Sequence, residues 1–462
     1  MENIIDKFKR FTVIGAGVSG TALALLARRL GYDVFVSEER DSLSSVSLEK
    51  LKDASIPFES GGHTARAFES EAIILSSGVS PDARCVLEAK RRGVPVIGEL
   101  DFVAPRLVAP VIGVTGSNGK STLTSLVGHI LKKSGLKTGV GGNLGDAASL
   151  FTEGKFDCIV LELSSFQLYW AHSLNVAVGA VTNLAPDHID WHGSYEAYVA
   201  AKAKLFSLQD EKGWKIVQDR DCEAMSLTAP EVLARTLALS WDDKPKSGSS
   251  AHIFMGEKGA FLRDAGGESP LFTYDETTLL GRHNLENIAM AVSAARLFGA
   301  RPACSVSETL ADFKPLPHRC ELAGVVGGVT YIDDSKGTNV AASVTAMTSI
   351  EGRKVVILGG KGKGEDYAPL AEGVLNNAYA AVLLGAEKNA IEVALKRKGF
   401  TNIYKMADAG TQEMKAAVLT AKSIAKPGMV VLLSPACTSW DMYESYKKRG
   451  EHFCDVVREL QD

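Results

Sequence analysis

The chain has 462 residues, of which 45% are hydrophobic and 23% charged, with a formal net charge of −4 from 51 basic and 55 acidic side chains. That length exceeds one ordinary domain, with about three as the prior, and the apolar content is ample for several buried cores. The charge balance excludes a protein that holds nucleic acid through bulk charge, so an anionic ligand has to be gripped by local features such as loops and helix N-termini.

From the N-terminus, the short charged stretch Met1 to Arg10 leads straight into a strand. Phe11 to Ile14 is that strand, followed by Gly15-Ala16-Gly17-Val18-Ser19-Gly20 and a helical pattern to about Leu30. Asp33 to Val36, Ala72 to Leu75 and Val94 to Ile97 extend a parallel, Rossmann-like sheet, giving a first domain over 1–99. A second domain, 100–314, opens with the strand Pro110 to Thr115, the loop Gly116-Ser117-Asn118-Gly119-Lys120-Ser121-Thr122 and a helix from about Leu123 to Ser134. Strands follow at Cys158 to Leu161 and Val176 to Val181, then a helix at Tyr195 to Phe206. Asp242 to Gly267 is rich in Gly, Ser, Lys and Asp, and predicts hairpins or a mobile excursion. The third domain, 315–462, starts near Pro315-Leu316-Pro317. Its strands at Val329 to Ile332, Val355 to Leu358, Ala381 to Leu384 and Val430 to Leu433 alternate with helices, as in a doubly wound fold. The expectation is three α/β domains: Rossmann-like, P-loop-type ATPase, and doubly wound Rossmann-like.

Cys85, Cys158, Cys222, Cys304, Cys320, Cys437 and Cys454 form no C-x-x-C pair and predict reduced, mostly buried thiols of a cytosolic protein. No apolar run is long enough to span a membrane. A cytoplasmic monomer with no stable membrane insertion and no nucleic-acid partner is expected.

The G-x-G-x-x-G turn brings backbone N–H groups close to a diphosphate. It suits NAD or FAD with Glu38 or Glu39 on a ribose, a nucleotide-sugar diphosphate, or a plain strand–helix packing turn. Gly116 to Ser121 is the strongest signal: amides and a helix N-terminus face an anion, Lys120 reaches terminal phosphates and Ser121 reaches magnesium. The strict spacing fails by one place, because Val114 stands where the first glycine belongs and Gly113 precedes it. Glu162, at a strand tip before Ser164-Ser165, suits either a magnesium ligand or a solvated cap. Asp187, His188, Asp190 and His192 suggest a hard-cation site using His188, or a structural cluster. Lys202 and Lys204 lie on a helix and are by themselves ordinary solvated lysines. Gly281-Arg282-His283-Asn284 with Asn287 opens a helix at Ile288, either reading an adenine edge or capping the helix. Pro317-His318-Arg319, Asp333-Asp334-Ser335-Lys336-Gly337-Thr338-Asn339, Gly359 to Gly364 and Ser434 to Ser439 offer cations, hydroxyls and amides at strand ends for a carboxylate or phosphate.

Together, Gly113 to Ser121, Glu162-Leu-Ser-Ser-Phe-Gln167, Asn183 to Gly193, Ala200-Ala-Lys202, His283-Asn284 with Asn287, Pro317-His-Arg319, Asp334 to Asn339, Leu358-Gly-Gly360 and Ser434-Pro-Ala436 resemble the Mur ligase family over essentially the whole chain. Within it they resemble the branch that joins D-glutamate to UDP-N-acetylmuramoyl-L-alanine. The resemblance implies that the first domain holds the UDP-sugar, the second ATP and the third the amino acid. It implies that Gly116, Ser117, Asn118, Gly119, Lys120, Ser121 and Thr122 bind ATP phosphates, with Asn284 and Asn287 on the adenine side and Arg319 and Asp334 as further nucleotide contacts. Ser121, Glu162 and His188 would lie at or near magnesium. Lys202 matches the lysine that the family carbamylates to make a carboxylate-like metal ligand, and Lys120, His188 and Lys202 are the implied catalytic set. Val18, Ser19, Glu38, Arg40, Ser76, Gly78 and Asn143 match the UDP-sugar pocket, with departures: Glu38-Glu39-Arg40 stands for Asp-Thr-Arg, and Ser76-Ser77-Gly78 for Ser-Pro-Gly. Lys336, Thr338, Lys363, Ser439 and Tyr446 match the D-glutamate site. The Asn-Pro-Arg type signature of relatives adding a diamino acid is absent. Asn118 stands where relatives adding L-alanine carry a histidine. The implied reaction is acyl-phosphate formation from the substrate carboxylate and ATP, then attack by the amine of D-glutamate, in cytoplasmic peptidoglycan precursor synthesis.

Overall fold

The computed structural model describes residues 4–221, 235–245, 251–277, 279, 281–300, 306–314 and 316–460. Cys222, Cys304, Pro315 and residues 246–250 of the expected excursion lie outside them. The chain divides into two compact units. One comprises Met1–Thr277 with Asn287–Asp312, and the other Thr278–Glu286 with Phe313–Asp462.

The first unit carries two sheets. β1 (Arg10–Ile14), β2 (Asp33–Glu38), β3 (Phe58–Ser60), β4 (Ala72–Leu75) and β5 (Val96–Gly98) pair in the order β3-β2-β1-β4-β5, all parallel. This is the Rossmann order, whose switch point lies beside β1, where the glycine turn emerges. Alternation along the strands covers both faces: Phe11, Val13, Val36 and Ile74 join one core, while Ile14, Phe35, Ile73 and Leu75 join another.

The second sheet contains β6 (Val111–Thr115), β7 (Thr138–Gly142), β8 (Cys158–Glu162), β9 (Val176–Val181), β10 (Trp214–Gln218), β11 (Thr236–Ser240), β12 (His252–Met255), β13 (Gly259–Asp264) and β14 (Gly267–Thr273). Its order is β14-β13-β12-β11-β10-β9-β6-β8-β7. β6 lies between β8 and β9, parallel to both, so the loop after β6 emerges between Glu162 and Thr182-Asn183. The Gly/Ser-rich excursion contributes antiparallel pairing, β12 with β13 and β13 with β14. Gly113 has a packing reason: a Cβ there would meet Leu205 Cδ1 at 2.7 Å.

The second unit holds β15 (Glu321–Val326), β16 (Val329–Asp333), β17 (Lys354–Gly359), β18 (Ala378–Leu384), β19 (Ile403–Lys405) and β20 (Val430–Leu433), ordered β15-β16-β20-β17-β18-β19. Only the β15 edge is antiparallel. Val356, Leu358 and Leu432 face one core; Val355, Ile357 and Leu433 face the other, as a doubly wound sheet requires.

Two helix starts differ from expectation. The helix expected from Leu123 is Lys120–Lys133, because Gly119, at φ +81°, ends the loop in a left-handed turn and puts Lys120 and Ser121 in the first helical turn. The helix expected from Ile288 is Arg282–Leu297, so Asn284 and Asn287 belong to its opening turns and are not caps. No helix among the described residues is long and apolar enough to cross a membrane. Cys85, Cys158, Cys320, Cys437 and Cys454 are free thiols; the first two and Cys437 are buried.

Candidate active site

The glycine turn after β1 opens onto a cavity of about 720 Å³, lined by Val18, Ser19, Glu38, Arg40, Ser76 and Gly78 among others. Asn143 does not line it; its side chain donates to Glu162 Oε1 at 2.9 Å. Glu38 is 5% exposed and its carboxylate is already occupied. Oε2 accepts the Ala16 N–H at 2.6 Å, and Oε1 accepts the Arg40 N–H at 3.1 Å and Nε at 3.3 Å. Burial pushes this carboxyl up, but the Ala16 and Arg40 bonds outweigh it and hold the group below the usual range. Glu38 therefore braces the turn rather than projecting toward a ribose. Trp191 Nε1 donates to Gly78 O at 3.2 Å and Trp170 Nε1 to Val79 O at 3.3 Å, so the rim of this cavity is tied to the second sheet. Behind Ser19, the buried Glu99 accepts from Gln167 Nε2 at 3.3 Å. Burial pushes Glu99 up to about 7 against the bonds from Gln167 and Ser19.

The β6 loop is held as a rigid cradle. Gly116 has φ +135°, and a Cβ there would lie 1.9 Å from Thr182 Oγ1. Ser117 N–H donates to Asn183 O at 2.8 Å and Asn118 N–H to Asn183 Oδ1 at 2.9 Å. Lys120 Nζ donates to Ser117 O at 2.8 Å, which folds its side chain back over the loop. A Cβ at Gly119 would meet Asn287 Oδ1 at 2.9 Å, so Asn287 abuts the cradle. Ser121 is 6% exposed and Glu162 3%; Thr122 is half-buried in the same turn.

Lys202 is 2% exposed, on the helix Tyr195–Ser207. Its Nζ donates to Gly116 O at 2.8 Å and lies 4.6 Å from the Tyr198 ring centre. Burial pushes this amine well below the ordinary lysine range; Lys120 pushes the same way, against Asp187 and Glu162. Tyr198, missed from the sequence, completes the floor with its OH 2.9 Å from Ser117 Oγ. The signal was present in the i, i+4 spacing from Lys202. His188 sits at φ +54°, with Nε2 3.5 Å from Asp187 Oδ2. His192 turns to Ser165 Oγ at 2.9 Å and is pushed down to about 4 by burial, with His188 and Lys202 adding to it. The run Asp187 to His192 thus does not gather as one cluster of histidine and carboxylate ligands. Ser121 and Glu162 supply hard oxygen donors, the chemistry that suits magnesium.

In the second unit, Lys336 Nζ stacks 4.0 Å from the Tyr446 ring centre. Thr338 and Lys363 are half-buried in their strand-end loops and Ser439 is 2% exposed. Arg319 lies between two left-handed residues, His318 at φ +62° and Cys320 at φ +48°. That strained turn is braced: His318 Nδ1 lies 2.7 Å from Asp333 Oδ2, and the His318 N–H donates to Glu321 Oε2 at 2.7 Å. Among the described residues these three form the group whose ligand atoms all lie within 4.8 Å of one another, and hydrogen bonds already join them. Asp334, 7% exposed, accepts from Ser434 Oγ at 2.6 Å. Burial pushes its carboxyl up to about 7, against Ser434 and Arg319. Arg449, also missed, is fully buried beneath these loops. Sequence alone places it on an amphipathic helix with nothing to mark it as internal.

A Rossmann-type cavity, a phosphate cradle with a buried lysine, and a doubly wound sheet with cationic strand-end loops define a nucleotide-dependent α/β enzyme of several sheets. Residues 10–85 match the MurD N-terminal domain, 114–295 the Mur ligase middle domain, and 318–437 the Mur ligase glutamate ligase domain. Over 457 residues the chain is 38% identical to the UDP-N-acetylmuramoylalanine--D-glutamate ligase of Pelotomaculum thermopropionicum, covering 98% of each. Over 459 residues it is 38% identical to the protein of that name from Desulfitobacterium hafniense, covering 97% of each. Among solved structures, a pseudomurein peptide ligase type C from Methanothermus fervidus aligns with TM-score 0.61 and 19% identity over 98% of this chain and 100% of that one. The UDP-N-acetylmuramate-alanine ligase of Thermotoga maritima aligns with TM-score 0.60 and 19% identity over 97% and 99%. The chain belongs to the Mur ligase family.

Proposed function

We propose that the protein is the ATP-dependent ligase that adds D-glutamate to UDP-N-acetylmuramoyl-L-alanine, forming ADP and phosphate, in cytoplasmic peptidoglycan precursor synthesis. The full-length likeness to two D-glutamate ligases supports the substrate. Within the chain, the observation that carries the ATP half is the cradle of 116–122 with Lys120 folded over it and the Lys202 amine buried beneath.

Residues 1–99 hold the UDP-sugar, through Val18, Ser19, Arg40, Ser76 and Gly78, with Glu38 bracing the turn that faces it. Residues 100–314 hold ATP, with Asn284 and Asn287 toward the base and Arg319 and Asp334 as added contacts. Residues 315–462 hold D-glutamate, through Lys336, Thr338, Lys363, Ser439 and Tyr446. A substrate carboxylate and a triphosphate repel each other. Lys120 offsets that charge, and the backbone amides of the cradle orient the phosphates. Ser121, Glu162 and His188 would hold magnesium, whose charge would offset that of the transferred phosphoryl group. Only an uncharged amine adds carbon dioxide, and burial shifts Lys202 toward its uncharged form; as a carbamate it would offer an oxygen donor to the same metal. The substrate carboxylate takes the γ-phosphoryl group of ATP as ADP leaves, and the amine of D-glutamate then attacks the carbon of that acyl phosphate and expels phosphate.

The test is phosphate release from ATP with magnesium and UDP-N-acetylmuramoyl-L-alanine across a panel of amino acids. Release that requires D-glutamate, with product heavier by one glutamyl residue, supports the reading. Release with another amino acid keeps the family and replaces the substrate.

A further inference from the structure

Arg449 is 0% exposed, on the helix Tyr446–Glu459. All five of its N–H groups are used. Nε donates to Ser335 Oγ at 2.9 Å; Nη1 to Cys437 O and Thr438 O, each at 3.1 Å; Nη2 to Ser335 O at 2.8 Å and Cys437 O at 3.1 Å. Every one of these acceptors is neutral, and among the described residues no carboxylate stands within ion-pair distance. Asp333 and Asp441 act on it only at longer range. Of these, Asp333 Oδ2 lies 2.7 Å from His318 Nδ1, while Asp441 is solvent-exposed and accepts the Ala386 N–H at 2.9 Å. A buried guanidinium whose nearest carboxylates lie beyond ion-pair distance is costly even with its hydrogen bonds satisfied.

Its position suggests a use. Ser335 belongs to the loop after β16, and Cys437 and Thr438 to the loop after β20. A Cβ at Gly360, in the loop after β17, would meet Arg449 Nη1 at 3.0 Å. Lys361 and Thr438 exchange backbone bonds of 2.9 Å. Ser335 Oγ in turn donates to the carbonyl of Tyr446 at 2.9 Å, whose ring carries Lys336. The three loops bearing the proposed amino-acid residues are thus gathered over one buried positive charge. A poorly screened buried charge acts on a nearby anion more strongly than a surface lysine does.

We propose that Arg449 is a specificity-determining positioning residue, whose buried charge beneath the three loops biases the amino-acid site toward a dicarboxylate over a neutral amino acid. This rests on the placement of that site at Lys336, Thr338, Lys363, Ser439 and Tyr446.

The experiment measures KM for D-glutamate, ATP and the UDP-sugar, with kcat, in the full-length wild type, Arg449→Lys and Arg449→Gln, each checked for cooperative unfolding. The expected result is a D-glutamate KM within about fivefold of wild type for Lys and raised at least about tenfold for Gln, with the other two KM values within about twofold. Equal losses in Lys and Gln, or parallel rises in all three KM values, would mean a tether only and overturn the proposal. Should Arg449→Gln fail to fold, Ser335→Asp keeps the arginine and sets a carboxylate against it; an unchanged KM for D-glutamate there overturns the proposal as well. Wild type that uses a different dicarboxylate sinks the D-glutamate reading and leaves Arg449 standing, whereas wild type that uses a neutral amino acid sinks both.

Discussion

At Lys202, stability and function pull apart. The unfolded chain keeps this amine protonated up to about pH 10.5, while burial lowers its pKa well below that in the folded state. Folding therefore carries a penalty at neutral pH that fades as pH rises toward the unfolded value. Lys202→Met is expected to raise the thermal midpoint and to lower phosphate release at least about 100-fold, with added bicarbonate restoring nothing; retained turnover would remove Lys202 from the mechanism. Asp334 runs the other way. The folded state holds its proton up to about pH 7, whereas an unfolded aspartate releases it near pH 4. The folded state binds more protons across that interval, so this carboxyl's contribution to stability is lost as pH rises through it. Urea midpoints at pH 5 and pH 7.5 should differ less in Asp334→Asn than in wild type. Lys120, Ser121 and Glu162 could be singled out from sequence because Gly-rich spacing and a strand-end position announce them. Arg449 could not, because its role comes from burial against segments far away in the chain.

Two glycines, one in β6 and one opening the loop after it, answer different demands. Gly113 is needed for packing, since its Cβ would strike Leu205. Gly113→Ala is expected to cost about 1–3 kcal/mol of stability by overpacking while leaving the KM for ATP near wild type. Gly116 is needed for conformation, with φ +135° and Thr182 Oγ1 only 1.9 Å from where a Cβ would stand. Gly116→Ala should raise the KM for ATP at least about tenfold, because strain of about 1–3 kcal/mol is relieved only by moving the loop. If the two variants behave alike in an ATP titration, the distinction fails. Strand positions were legible because alternating or continuous apolar runs mark them. Helix starts at Lys120 and Arg282 were set three and six residues earlier than apolar periodicity suggests. Polar first turns carry no periodicity, and a left-handed glycine, not an apolar residue, begins the Lys120 helix.

Across the whole molecule, the first two sheets share one core. Phe11, Val13 and Ile74 cluster with Phe102, Ile159, Leu161 and Val217. A fragment of residues 1–99 exposes that shared surface and is expected to lack cooperative unfolding. A fragment of residues 313–462 retains both cores of its own sheet and should unfold cooperatively in urea, followed by circular dichroism. A cooperative 1–99 fragment would show the shared core to be dispensable.

By itself, the sequence determined the α/β class, the parallel strands, the glycine-rich loop after β6 and the set of motifs that identify the family. These are local signals: period, spacing and residue type within a few turns of chain. Tertiary structure decided which side chains act together. It set Glu38 against the Ala16 amide, turned the helical Lys202 into a buried amine under Gly116, and put Arg449 beneath three loops. The physical reason is that ionisation and hydrogen-bond satisfaction depend on desolvation and on partners distant in sequence, neither of which is encoded in any one segment.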